Sequence, residues 1–164
     1  MNQAWLALGS NQGDSFRHLR EAVAALERLP HTRVRACSPM YRTPPWGVAE
    51  QPPFINAALE LETELAPHRL LEAMLAIERE HGRRRDGERW GPRTLDLDLL
   101  HVDGVQVDDA QLTLPHPRIR DRAFVLLPLN DLAPDLVLPG QGQVAQLLAA
   151  IDTAGCERLP ETLR

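Results

Sequence analysis

From Ile55 to Glu62 the larger apolar side chains fall on every second residue: Ile55, Ala57, Leu59 and Leu61 alternate with Asn56, Ala58, Glu60 and Glu62. A period of two belongs to a strand that turns one face to a core, so this segment commits the chain to a sheet. The remaining elements arrange themselves around it. Ala4–Leu8 is continuously apolar and stops at Gly9, as a buried central strand would. Leu19, Ala22, Val23 and Leu26 then recur at helical spacing behind Asp14 and Ser15, either of which suits the N-cap. Val34, Ala36 and Ser38 alternate with Arg33 and Arg35 as a half-exposed strand. Pro67 opens a second helix with Leu70, Leu71, Met74 and Ile77 on its apolar stripe, and Gly82 suits its end.

Further on, Leu95, Leu97 and Leu99 alternate with Asp96 and Asp98, and Asp103-Gly104 predicts a hairpin turn between Leu99–Val102 and Val105–Val107. Two more helices are expected near Asp121–Leu129 and Val144–Ile151. The order strand, helix, strand, strand, helix, strand points to an α+β sandwich with a mainly antiparallel sheet and helices packed on its faces. A ferredoxin-like arrangement is its simplest version. A doubly wound parallel sheet fits worse, because two consecutive strands lack an intervening helix. With 164 residues the chain reads as one domain, residues 1–164, and the proline-rich stretch from Thr43 to Pro53 as a shaped surface loop within it.

Composition removes several classes of function. All 18 cationic residues are arginine, so a Walker-type phosphate loop and a Schiff-base mechanism, both of which need lysine, are excluded. A net charge of -5 argues against a nucleic-acid partner. Cys37 and Cys156 stand far apart and form no zinc cluster, which suits a reduced, cytoplasmic setting. No stretch is long enough to span a bilayer.

The chemistry concentrates in Arg89-Trp90-Gly91-Pro92-Arg93-Thr94-Leu95-Asp96-Leu97-Asp98. On a strand Asp96 and Asp98 share one face, roughly 6.6 Å apart along the chain, while the leucines bury the other. By itself that pattern also describes a solvated strand face. The loop before it supplies Arg83, Arg84, Arg85, Arg89 and Arg93, and a cationic loop feeding a di-acid strand suits a polyanion held with metal ions. A triphosphate of about -4 and two aspartates leave about -2 after two magnesium ions, a residue that arginines offset. Trp90 serves equally well as a lid or as an anchor for the loop. His116, between Pro115 and Pro117 and followed by Arg118 and Arg122, suits a phosphate contact. Phe54 and Asn56 form an aromatic and amide pair of the kind that stacks and reads a flat heterocycle, and also fit a core phenylalanine and a turn asparagine.

Together these segments resemble the 6-hydroxymethyl-7,8-dihydropterin pyrophosphokinases. The resemblance rests on Gly9-Ser10-Asn11, Tyr41-Arg42-Thr43-Pro44-Pro45, Gln51–Asn56, Glu78 with Gly82-Arg83, Arg89–Leu100, Pro115–Arg118 and Arg122-Ala123-Phe124. It implies a ferredoxin-like fold and a monomer that transfers pyrophosphate from ATP to the pterin hydroxymethyl group, giving the pterin diphosphate and AMP in tetrahydrofolate synthesis. Asp96 and Asp98 would hold two Mg2+ ions, and Arg83 and Arg93 would act with them as the catalytic residues. ATP would be bound by Arg83, Arg85, Trp90, Arg93, His116 and Arg122. Thr43, Pro44, Trp46, Phe54, Asn56 and Phe124 would receive the pterin. Gln12 and Glu50 depart from the residues common in that family. Two other readings use the same residues: a metal-dependent nucleotide phosphohydrolase, which needs no pterin, and an RNA-binding module, whose affinity would fall steeply with salt.

Overall fold

The computed structural model describes residues 1–45, 50–82 and 94–164. The elements run β1 (Asn2–Ser10), α1 (Ser15–Glu27), β2 (Thr32–Cys37), β3 (Tyr41–Thr43), β4 (Phe54–Thr63), α2 (Pro67–Glu80) and β5 (Asp96–Val102). There follow β6 (Val107–Asp108), β7 (Thr113–Leu114), a 3-10 turn at Ile119–Asp121, α3 (Ala123–Leu132), β8 (Val137–Leu138), β9 (Gly142–Gln143), α4 (Val144–Ala149) and β10 (Glu157–Arg158).

The main sheet has the order β10-β3-β4-β1-β5, with β2 also on β4, and every pairing in it is antiparallel. Taking β2 and β3 as one interrupted strand, this is the ferredoxin-like order, as expected from the sequence. The interruption falls at Ser38-Pro39. Proline cannot donate to a ladder, and Ser38 bridges the gap: its N–H donates to Ala58 O at 2.9 Å and its Oγ accepts from Ala58 N at 2.8 Å.

Alternation along β1 divides the interior in two. Ala4, Leu6 and Leu8 face α1 and α2, joining Leu19, Ala22, Val23, Leu26, Leu70, Met74, Ile77, Leu97 and Leu99 in one buried cluster. Trp5 and Ala7 face the other way, with Leu100, Ile119, Val125, Leu126 and Leu129 in a second. Helices therefore cover both faces. The caps agree with the sequence: Asp14 accepts from Arg17 N at 3.2 Å, Pro67 stands in the first turn of α2, and Gly82 has φ +82° just beyond it.

The expected hairpin after β5 does not form as such. The turn is there, with Gly104 at φ +73° and Val105 N donating to Val102 O at 3.0 Å, but the outgoing β6 pairs with β7. Asp103 N instead donates to Gln3 O at 2.9 Å, prolonging the β1–β5 ladder. At the C-terminal end, β10 adds to β3, and the Arg158 guanidinium reaches Asp131 of α3 and the Tyr41 hydroxyl.

Strand β5 lies at the sheet edge, so alternate N–H groups point away from β1. Glu78, on the apolar stripe of α2 four residues after Met74, is buried there, and its Oε2 accepts from Leu97 N at 2.7 Å. Replacing Glu78 by alanine should lower stability to urea by about 1.5–3 kcal/mol, the usual worth of a hydrogen bond to a charged group. Glutamine, which keeps an acceptor, should recover part of it. An unfolding curve unchanged by the alanine would remove this role.

Candidate active site

Register brings the predicted residues together. Tyr41 pairs with Asn56, Asn56 with Gly9, and Gly9 with Asp96, so four strands contribute one row across the sheet. Residues paired in this way present side chains to the same face. Asn56, Asp96 and Asp98 thus stand on the α3 face, at the end of the sheet where the tight packing of Trp5 and Ala7 stops. Gly9 contributes no side chain to the row. A Cβ built there would lie 2.7 Å from Asn56 Oδ1 and 3.8 Å from Phe54 Cδ1. Glycine therefore keeps open a floor between an amide and a phenyl ring on one side and a carboxylate on the other.

On the β3–β4 side, Asn56 is held by its own neighbour. Its Nδ2 donates to Thr43 Oγ1 at 2.6 Å, and both residues are buried. This fixes the amide so that Oδ1 points over Gly9. Phe54 pairs with Thr43 and is half-buried at the start of β4. Pro44 is exposed and abuts Gly155 of the C-terminal segment, where an added Cβ would meet it at 2.9 Å. The loop leaving β1 is tied to the loop entering β4: Asn11 Nδ2 donates to Gln51 Oε1 at 2.8 Å and Pro52 O at 3.0 Å. The Gly9-Ser10-Asn11 motif is thereby explained in part as an open floor followed by a brace.

On the β5 side, Asp96 and Asp98 are half-buried while Leu97 and Leu99 fill the opposite cluster. Arg122, the residue before α3, places Nη1 3.9 Å from Asp98 Oδ2 and its guanidinium carbon 5.6 Å from the Phe124 ring centroid. His116 is anchored to β5 by its backbone, which donates to Leu100 O at 2.7 Å. Its Nδ1 accepts from Arg118 N at 3.1 Å, leaving Nε2 to carry the proton of the neutral ring. Burial, and after it the Arg122 charge, push this imidazole down to about 4, with Asp96 pulling the other way. His116 is thus a neutral donor at physiological pH.

Of the residues read from the sequence, Thr43, Phe54, Asn56, Asp96, Asp98, His116, Arg122 and Phe124 share this end of the sheet, and Pro44 borders it. Trp46, Arg83, Arg85, Trp90 and Arg93 lie outside the described residues. The supporting parts of Gly9 and Glu78 were not read from the sequence. An acid at the spacing of Leu70 and Met74 was the available signal for Glu78.

The 7,8-dihydro-6-hydroxymethylpterin-pyrophosphokinase family model matches residues 5–134. The chain belongs to this family. It is accordingly an enzyme of pyrophosphoryl transfer in folate biosynthesis. It is 51% identical over 97% of its length to the 2-amino-4-hydroxy-6-hydroxymethyldihydropteridine pyrophosphokinase of Methylorubrum extorquens, of which it covers 99%. To the enzyme of the same name from Pseudomonas aeruginosa it is 49% identical, covering 98% of each chain. Among solved structures, an HPPK-DHPS complex with substrates superposes with a TM-score of 0.74 at 12% identity, over 97% of this chain and 48% of that one. A Plasmodium falciparum HPPK-DHPS with pterin and p-hydroxybenzoate gives 0.72 at 16% identity, over 96% and 46%. The chain spans about half the length of these two structures, which show its fold. No helix among the described residues is long and apolar enough to cross a membrane.

The depressed histidine gives a pH prediction. Since the folded-state value of about 4 lies below the ordinary 6.5, the unfolded chain binds this proton more tightly. The contribution of His116 to stability is thus full above 6.5 and falls as pH drops toward 4. In an imidazole nitrogen–proton NMR titration of the free protein, His116 should stay neutral through pH 6 and protonate around 4. A midpoint near 6.5 would mean that the ring is solvated rather than buried.

Proposed function

We propose that residues 1–164 work as one pyrophosphokinase domain that transfers pyrophosphate from ATP to the hydroxymethyl oxygen of 6-hydroxymethyl-7,8-dihydropterin. The observation that carries this reading is the row Asn56–Gly9–Asp96. It sets a heterocycle-reading amide beside an aromatic ring, one strand away from two carboxylates, across a floor with no side chain. A pterin lying on Gly9 would present its ring edge to Asn56 and the Thr43–Pro44 backbone, with Phe54 and Phe124 available to its faces. Its hydroxymethyl arm would then extend toward Asp96 and Asp98.

The donor set on β5 suits magnesium: two hard carboxylates, half-buried on one face, at the end of a strand held by Glu78. Asp96 and Asp98 would hold two Mg2+ ions, which when bound neutralise polyphosphate charge and polarise the attacking hydroxyl. The protein's remaining work is positioning and electrostatics. Arg122, held between Asp98 and Phe124, would give fixed positive charge to the ATP phosphates, and His116 would add a neutral Nε2–H donor. Arg83 and Arg93 would stabilise charge on the group in transit, and Arg85 and Trp90 would contact ATP. In the transfer an O–P bond forms at the β-phosphorus and its bond to the α,β-bridging oxygen breaks. AMP leaves with that electron pair, and the hydroxyl proton passes to solvent.

The test is AMP formation from ATP and Mg2+ with and without the reduced pterin. AMP that appears only with pterin, matched by pterin diphosphate, is expected. ADP, or turnover independent of pterin, would replace this reading by a phosphohydrolase. Asp96→Ala and Asp98→Ala should each abolish metal-supported transfer while leaving the fold intact by circular dichroism, and near-normal turnover would sink the metal assignment. Gly9→Ala should drive Asn56 off its bond to Thr43 and weaken pterin binding by roughly tenfold or more, measured by fluorescence titration. Unchanged pterin affinity would show that the floor is elsewhere.

A further inference from the structure

On the opposite face of the sheet, α1 and the end of α2 bring two imidazoles and a carboxylate to one point. His18 and Glu21 are three residues apart on α1 and so share a side of the helix, while His81 is the C-cap of α2. His18 Nδ1 lies 3.4 Å from His81 Nδ1, and Glu21 Oε2 lies 3.8 Å from His81 Nδ1. One ligand atom from each residue falls within 4.8 Å of the other two. The His81 side chain is only 11% exposed, and the two rings meet edge to face with centroids 5.6 Å apart.

The nitrogen separation decides how this group is read. At 3.4 Å the Nδ1 atoms are beyond the roughly 2.7–3.2 Å of a good N–H hydrogen bond. Two nitrogens bound to one zinc at about 2.0–2.1 Å in tetrahedral geometry stand roughly 3.3 Å apart. From these distances we infer that His18, His81 and Glu21 form a binding site for a transition-metal dication of the zinc type, with a fourth position open to water. Two imidazoles with one carboxylate favour zinc and its neighbours over magnesium, which takes oxygen donors. The site is therefore chemically distinct from the Asp96–Asp98 pair on the other face. Burial, the nearby His81 and Arg17 lower the His18 pKa, against Glu21 and Asp14, so its lone pair is available at neutral pH. A bound ion would pin the end of α2 to α1 immediately before Gly82.

The experiment is a competition between the untagged, metal-free full chain and a chromophoric zinc chelator, without ATP. One zinc equivalent should be withdrawn by the wild type and equally by an Asp96→Asn/Asp98→Asn variant. His18→Gln and His81→Gln should bind at least tenfold more weakly, with Glu21→Gln between, while their metal-free melting temperatures match the wild type. Imidazole NMR on the wild type should show His18 and His81 as the resonances that zinc displaces. Failure of the wild type to compete, zinc uptake lost only with the two aspartates, or unchanged affinity in both histidine variants would each overturn the site.

Discussion

Strand β1 is hydrogen-bonded along its length to β4 and along most of it to β5, and a strand paired on both sides cannot slip. A slip of one residue would send Leu6 and Leu8 to the α3 face and turn Asp96's partner from glycine into a bulkier residue. Core and site therefore share one constraint. The apolar alternation that fixes the register through burial also brings Asn56, Gly9 and Asp96 into line. The burial of ordinary leucines thus secures the spacing of groups that have little packing energy of their own.

The sequence disclosed most where the pattern is set by burial. Residues 4–8, 55–61, 95–99 and the stripes of α1 and α2 follow the two periods that a two-faced sheet and its covering helices impose. Elements whose existence depends on a distant partner were not readable. Strand β3 has three residues between a proline break and a proline-rich loop, and it exists because β4 and β10 flank it. The turn at Asp103-Gly104 was legible because it is local, but the partner of the strand after it was not. The choice between β5 and β7 is tertiary, and Gln3 O already occupies Asp103 N. The site shows the same division. Asp96 and Asp98 announce themselves by alternation, whereas Asn56 gains its meaning from Thr43 and from the missing side chain of Gly9.

Polar groups inside the fold lie mainly where they set direction. Glu78 caps an edge N–H under the carboxylate strand, Ser38 carries the ladder across a proline, and Arg118 N fixes which nitrogen of His116 accepts. Each of these contacts joins one side-chain acceptor to one backbone N–H, so its removal leaves a specific orphan rather than a general loosening. Such contacts let a site made of weakly packed residues keep its orientation on a rigid sheet.

The two-residue strand β10 lies beyond the residues that carry the chemistry. It is nonetheless the outer neighbour of β3, and its Arg158 links Tyr41 to Asp131, while Gly155 supports Pro44. Thr43 is thus only two strand positions from a side chain held by the C-terminal segment. The same segment buries Leu159 and Leu163 in the cluster beneath α1 and α2, so its detachment would cost core contacts as well as the support of Thr43 and Pro44. Its effect would reach the substrate pocket and the core together. The tail works as a splint on the pocket's outer wall that is itself rooted in the core, so the precision of substrate recognition and the stability of this fold answer to the same closing segment.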